Sequence, residues 1–396
     1  MIIVTREDLN QAVTDVSGAV AARTTLPVLG NILLSAAPGG QLVVAATNLD
    51  IAILTQIPCK EVDDTVNITV PAPKLISIVG ALPEGEITLK VHAKKQELTI
   101  IQGRYQTTLK GIDYNDFPQL PSFEAVVMEF SLPLAAFNAV AQAVLFTAST
   151  DQARPMLTGI DVSLTPQEDR AELAMQATDG YRLARLAWAV PLPRGLEQPV
   201  RVIVPAKHLT QFLRITKPLK DADLRVGIAR TKLILEAGND TRRFTFSSNL
   251  LEGQYPDLAA VMPRNLPVTL TIDNDTLAEA LNLADIIAAD MGHVVELRLS
   301  PTHQPPTIKL FAVSAEAGDT DNEVTAEAAT GPAGFSIAFN AKYLIEAVKA
   351  LTSNRLVLEV SSPTSPGVIR PAEVEAAVVD WRYVMMPMQT KPRTSE

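Results

Sequence analysis

Ala177-Thr178-Asp179-Gly180-Tyr181-Arg182-Leu183-Ala184 is the stretch on which the reading of this chain turns. Before it, Leu173, Met175 and Ala177 alternate with Glu172, Ala174 and Gln176, the period of two expected of a half-buried strand. After it, residues 183–190 form a second strand-like run. Asp-Gly between two such runs predicts a β-hairpin, because Gly accepts positive φ freely and Asp tolerates it better than most residues. The tip gathers a hydroxyl, an aromatic ring and a guanidinium on Thr178, Tyr181 and Arg182. Loop tips held by two strands commonly carry binding surfaces, although a plain turn with polar decoration has the same sequence.

The chain has 396 residues, enough for about two to three domains. With 47% hydrophobic and 20% charged residues it has an ordinary globular balance and ample core. Cys59 is the only cysteine, which excludes an internal disulfide and Cys-based zinc sites and suits a small buried hydrophobe. His92, His208, His293 and His303 lack metal-ligand spacing and are assigned to surface or capping positions, so no metal or cofactor is expected. There is no phosphate loop and no nucleophile elbow, and paired acids such as Asp63-Asp64 read as loop charge, all of which argues against an enzyme. The uncharged runs 26–49 and 130–150 are broken by Pro, Gly, Asn and Gln, so neither is a membrane span. The opening Met1-Ile2-Ile3-Val4 meets Arg6, Glu7 and Asp8 at once, unlike a leader, and a cytoplasmic location is expected.

Internal repetition is the next signal. Val70-Pro71-Ala72-Pro73-Lys74-Leu75 is echoed by Val204-Pro205-Ala206-Lys207-His208-Leu209 and by Phe339-Asn340-Ala341-Lys342-Tyr343-Leu344. The three lysines are 133 and 135 residues apart, close to a third of the chain, which implies three copies of one unit. Each copy opens with a short strand and an amphipathic helix, over 5–20, 131–148 and 273–290, with Thr5, Ser131 and Asp273 as N-caps. Phe117-Pro118 and Tyr255-Pro256 close the first two copies and Met386-Pro387 the third. The turn Thr47-Asn48-Leu49-Asp50 takes the place in copy one that Thr178-Asp179-Gly180-Tyr181 takes in copy two. Residues 43–54 and 97–110 alternate as strands. The fold class is α+β, with two helices packed on antiparallel sheet in each of three domains, 1–125, 126–264 and 265–396. The polar tail from 389 to 396 is expected to be mobile.

A net charge of −10 argues against nucleic acid, but a polyanion responds to the local distribution of charge. The second helix of each copy concentrates bases: Lys74 alone over 70–82, Lys207, Arg214 and Lys217 over 204–217, and Lys342 and Lys349 against Glu346 over 339–351. The pairs Lys207/Arg214 and Lys342/Lys349 are seven residues apart on one face, with Leu209, Phe212 and Leu213, or Leu344, Ala347 and Val348, opposite. For a single helix this is ordinary solvated surface. Recurrence at one structural position points to a cationic face that follows phosphates without reading bases. The first helices show no such excess; 273–290 holds five acids and no base.

Together these residues resemble the bacterial sliding-clamp family, the β subunits of DNA polymerase III holoenzyme. The resemblance runs from Met1 to about Met388 and is carried by Thr25-Leu26-Pro27-Val28-Leu29-Gly30-Asn31, by the 177–184 stretch and by Val384-Met385-Met386-Pro387-Met388. It implies a head-to-tail homodimer whose six domains form a ring around duplex DNA, without sequence specificity and without catalysis. On matching positions it places Arg23, Lys74, Lys207, Arg214, Lys342 and Lys349 toward the DNA. It also implies a groove for short peptides of the replicative polymerase, the clamp loader and other clamp-motif proteins. That groove would use Leu157, Thr178, Gly180, Tyr181, Arg182, Leu183, Pro256, Val261, Asn340, Tyr343, Val384, Met385, Met386, Pro387 and Met388. Such a groove suits an extended peptide with Leu and Phe plugs and one Gln. Subunits would meet by pairing an edge strand at 104–110 with one at 294–299, around Leu109, Ile286 and Ile287. The sequence departs from the family at Ala260, usually basic, at Pro73 and Ala206, often arginine, and at Gln389-Thr390, usually Arg-Leu. A clamp paralogue with a weakened groove is the alternative reading, and an enzyme of unrecognised class a more distant one.

Overall fold

The structure is a computed structural model, and it describes residues 1–219, 221–239, 241–351, 353–373 and 378–389. Thr390 and the rest of the polar tail lie outside the described residues. Six α-helices recur in pairs: α1 (Arg6–Val16), α2 (Ala72–Ala81), α3 (Leu134–Leu145), α4 (Ala206–Thr216), α5 (Asn274–Ala288) and α6 (Ala341–Ala350). Two of the expected caps are present. The Thr5 hydroxyl accepts from the Asp8 amide at 3.1 Å, and the Asp273 carboxylate from the Thr276 amide at 2.9 Å, each satisfying an amide that the first turn leaves without a partner. Ser131 is not a cap. It lies inside the strand Met128–Pro133, opposite Arg225, and α3 begins only at Leu134. Proline accounts for the difference: Pro133 holds Leu132 in extended backbone, so no helix can start before it.

The chain divides into two units, one of residues 1–138, 191–197 and 207–250, the other of 139–190, 198–206 and 251 onward. In the first, an eight-stranded sheet runs in spatial order Met128–Pro133, Asp223–Ile228, Lys232–Gly238, Arg243–Asn249, Ile51–Ile57, Leu42–Thr47, Asn31–Ala36, Val66–Pro71. Four strands from the second sequence repeat thus continue into four from the first, joined where Arg243–Asn249 pairs antiparallel with Ile51–Ile57. A five-stranded sheet ends on Tyr105–Lys110, which pairs only with Glu97–Gln102 among the described residues. Phe212 of α4 anchors this unit's core between Phe137 and Phe246, with ring centroids 5.9 and 5.6 Å away.

The second unit repeats the plan. A nine-stranded sheet is joined where Arg182–Pro191 pairs with Val378–Met385, and a four-stranded sheet ends on Gly318–Thr325. The strand expected at a subunit edge, Val294–Ser300, is interior to that sheet, bonded on one side to Thr307–Ser314 and on the other to Ser336–Asn340. Its alternating apolar residues Val295, Leu297 and Leu299 are fully buried, as an interior strand requires. The terminal strands are Gly318–Thr325 and Ser336–Asn340, and the sequence of the first is too polar to read as a strand.

Two further expectations are corrected. Cys59 is half-buried, not buried. His208 is a core residue: it is 6% exposed, and its Nδ1 lies 2.7 Å from Ser248 Oγ. The repeat does not foretell this, since counting from the helix starts residue 208 matches Lys74, which is exposed, and Tyr343, which is half-buried. Burial, helped by the neighbouring Lys207 charge, pushes its pKa down to about 4. A histidine that stays neutral in the fold but protonates when unfolded takes up protons only on unfolding between about pH 6.5 and 4. Stability therefore falls as pH drops through that window. Replacing His208 with Gln should remove on the order of 2 kcal/mol of this acid sensitivity, read as a smaller difference between Tm at pH 7 and at pH 4.5.

Candidate functional site

The hairpin of the second unit joins Arg170–Thr178 to Arg182–Pro191 through a three-residue tip. Its conformation is fixed by short polar side chains. Thr178 Oγ1 donates to Arg182 O at 2.6 Å and accepts from the Gly180 amide at 3.0 Å, while Asp179 Oδ1 accepts from the amides of Tyr181 and Arg182. Gly180 has φ +97°, so the glycine is favoured for its backbone; a Cβ there would meet only the movable end of Arg154, 2.9 Å away. The sister turn in the first unit repeats these bonds through Thr47 and Asn48, with Leu49 at φ +76° in the glycine's place, which supports the alignment of the two turns.

The tip meets the end of the described chain. Arg182 faces Met385 and Leu183 faces Val384 across the sheet, the Met386 amide donates to Tyr181 O at 2.9 Å, and the Met388 amide to Ala338 O at 2.7 Å. Beneath lies one apolar cluster: Leu157, Leu183 and Val384 with Ile203, Tyr255, Leu258 and Val368, and with Met156, Leu251, Met262 and Leu266 packed at its margin. Above it, large apolar side chains stand in solvent, Tyr181 at 64%, Val261 at 51% and Met386 at 48% exposure, with Met388 beside them. Met385 is buried, Pro387 half-buried and Pro256 exposed. An apolar floor with exposed apolar walls and few polar groups is what an extended peptide with apolar plugs requires.

The polar members of the expected set mostly hold the site together. Arg182 lies over the Tyr343 ring at 4.2 Å, donates to Phe146 O and Asp179 Oδ2 at 3.0 Å each, and pairs with Glu346. Its guanidinium therefore fixes the tip against α6 and the end of α3. Asn340 caps α6, accepting from the amides of Lys342 and Tyr343. Sequence reasoning missed Tyr255, read only as punctuation before a proline. Its buried hydroxyl accepts from the Thr178 amide at 3.1 Å, and burial raises its pKa well above the phenol range. The signal was present in the repeat, because Phe117 holds the same place in the first unit's cluster with Val28, Leu29, Leu33 and Ala45.

The cationic positions form a second set. Arg23, Lys74, Lys207, Arg214, Lys217, Lys342 and Lys349 are all exposed, and among the described residues none is in an ion pair. Most other arginines are paired with carboxylates, as Arg185, Arg201, Arg225, Arg298, Arg355 and Arg370 show. In a chain with more acids than bases, these second-helix charges make no close ion pair among the described residues, although Arg214 acts at longer range on Asp15. The opposite helix faces are buried through Leu75 and Val79, Leu209 and Phe212, and Leu344 and Val348. At the expected subunit contacts, Ile286 is 70% exposed on α5 beside exposed Leu283, whereas Ile287 and Leu109 are half-buried.

Family models describing the N-terminal, central and C-terminal domains of the DNA polymerase III beta subunit match residues 1–121, 131–257 and 259–389. The Beta sliding clamp of Synechocystis sp. is 32% identical over 407 residues, covering 98% of this chain and 99% of the relative, and that of Caulobacter vibrioides is 29% identical over 390 residues. The crystal structure of the DNA polymerase III subunit beta from Pseudomonas aeruginosa superposes with a TM-score of 0.85 at 27% identity, covering 98% of this chain and all of that one. Three clamp domains of mixed helix and antiparallel sheet define a replication accessory subunit without catalysis of its own. The chain belongs to the DNA polymerase III β-subunit family, the bacterial sliding clamps.

Replacing Tyr255 with Phe strands the buried Thr178 amide without its acceptor while keeping the ring. Thermal unfolding should show a loss of about 1–3 kcal/mol, and proteolysis should become faster at the 179–181 tip.

Proposed function

We propose that two copies of this chain close head to tail into a ring that encircles duplex DNA and slides on it. One observation carries this reading. The strand that joins the first two sequence repeats, Arg243–Asn249, has Val378–Met385 and Tyr105–Lys110 as its counterparts in the other repeats. Its partner Ile51–Ile57 has Arg182–Pro191 and Gly318–Thr325 as counterparts. Two of these three joints are made within the chain, and both members of the third are sheet edges. Pairing Tyr105–Lys110 of one copy with Gly318–Thr325 of another completes the pattern, and heterologous contacts that close give rings. The exposed Leu283 and Ile286 supply apolar surface beside that joint. We take the repeats as domains 1–125, 126–264 and 265–396.

In this reading the lysines and arginines of α2, α4 and α6 face the duplex. They form a thin basic lining in an acidic body, which tolerates phosphates of any sequence without holding them tightly. The groove at Tyr181, Val261 and Met386 receives short segments of the replicative polymerase, the clamp loader and other clamp-binding proteins, in the cytoplasm. The continuous floor of Leu157, Leu183 and Val384 favours a working groove over a weakened one.

Sedimentation should give a dimer at micromolar concentration, and Ile286→Asp a folded monomer; a wild-type monomer of intact fold would refute the ring. A fluorescent Gln-Leu-Phe peptide should bind with micromolar affinity, weakened about fivefold or more by Met386→Ala, which removes exposed apolar wall without touching the core.

A further inference from the structure

Beside the groove, within the same unit, lies a polar basin of about 400 Å³. Its floor continues the groove floor along the same face of the nine-stranded sheet. Leu183 and Val384 are cross-strand partners, and two residues further along each strand Arg185 stands opposite Arg382. Like charges directly opposite are unfavourable unless neutralised. Here Arg185 pairs with Glu172 at 2.9 Å and Asp380 at 3.6 Å, and Arg382 with Asp380 at 3.0 Å. A third guanidinium, Arg201, grips the buried Asp161 with Nε at 2.6 Å and Nη2 at 2.8 Å, and Gln176 Nε2 adds a third donor to that carboxylate at 2.6 Å.

The charges of the basin thus nearly cancel, but its hydrogen-bonding capacity does not. Both Asp161 oxygens are occupied, Asp380 is shared between two arginines, and Asp257 accepts from the Ala259 amide. Arg201 Nη1 and both Nη atoms of Arg382 have no hydrogen-bond partner among the described residues. The basin therefore offers spare donors and few spare acceptors. It is also continuous with the groove: Leu258 and Met262 line the basin and belong to the apolar cluster under the groove, so the turn Leu258–Val261 is a shared wall.

We propose that this basin receives a carboxylate from the bound partner segment, carried on an acidic residue about two positions from the apolar plug over Leu183 and Val384. The spacing follows from geometry. A two-residue step along the floor strands is about 6–7 Å, and an extended peptide lying over them covers that distance in two residues. A carboxylate there meets guanidinium donors already held in place by their own acids, so little side-chain freedom is lost on binding. A lysine at that position meets three guanidinium groups whose partner acids Asp161 and Asp380 are already engaged, leaving it chiefly the second oxygen of Asp257. The proposal rests on the peptide-groove reading and specifies which partners the groove prefers.

Anisotropy with the full chain and three labelled Gln-Leu-Phe peptides, differing only in Asp, Ala or Lys two positions beyond the Phe, tests it without any variant. The Asp peptide should bind about three- to fivefold more tightly than the Ala peptide and the Lys peptide less tightly than either, with the spread narrowing as salt is raised. Arg382→Glu, at a half-exposed side chain, should reverse the order of the Asp and Lys peptides. Equal affinities for all three in the wild-type protein overturn the basin assignment and leave the groove standing. Absence of binding by all three overturns both.

Discussion

Main-chain pairing between strands of different sequence repeats is the constraint on which the rest depends. Arg243–Asn249 and Ile51–Ile57 turn two four-stranded halves into one eight-stranded sheet, and Arg182–Pro191 and Val378–Met385 do the same in the second unit. Each joint buries a row of backbone donors and acceptors that would otherwise stand at an edge. The hairpin tips at 48–50 and 179–181 are set by the same joints, because the strand that leaves each tip is the strand that makes the pairing. In the second unit this brings Tyr181 to Met386 through a backbone bond and sets the C-terminal strand over an apolar cluster whose other members come from residues far apart in sequence.

The same architecture separates two kinds of surface chemistry. On the second helices, charge is left without close ion pairs, which suits a mobile polyanion that must not be gripped. Around the groove, charge is consumed internally: Arg182 is engaged by Asp179, Glu346, the Phe146 carbonyl and the Tyr343 ring. An arginine held in this way stiffens the tip, while the exposed side chains of Tyr181, Val261 and Met386 are left apolar.

How much of this was legible in the sequence depends on the kind of signal. The repeat, the helix pairs and the cationic positions were readable because Lys74, Lys207 and Lys342 keep a fixed period and amphipathic helices announce their buried faces. Leu157, Leu183 and Val384 came from motif resemblance, and all three fall in one buried cluster. The failures have local causes. Ser131 looked like a cap because its side chain is a good one, but Pro133 delays the helix. His208 looked like surface because histidine usually is and because its counterpart in the first repeat is Lys74, yet it packs inward against Ser248. The edge at Gly318–Thr325 was invisible, because Gly-Asp-Thr-Asp-Asn-Glu reads as loop and owes its strand conformation to eight rungs with Thr307–Ser314. Arg185, Arg201 and Arg382, scattered over three strands, converge only once register is known.

That polar edge has one more consequence. Asp319, Asp321 and Glu323 project from alternate positions and are exposed, with Lys309 pairing to two of them. Two such strands brought together would stack anionic rows against each other, whereas the terminal strand Tyr105–Lys110 is flanked by Arg104 and Lys110. The two terminal strands thus differ in electrostatic character: two copies of the anionic strand repel one another, whereas the anionic and the basic-flanked strands attract.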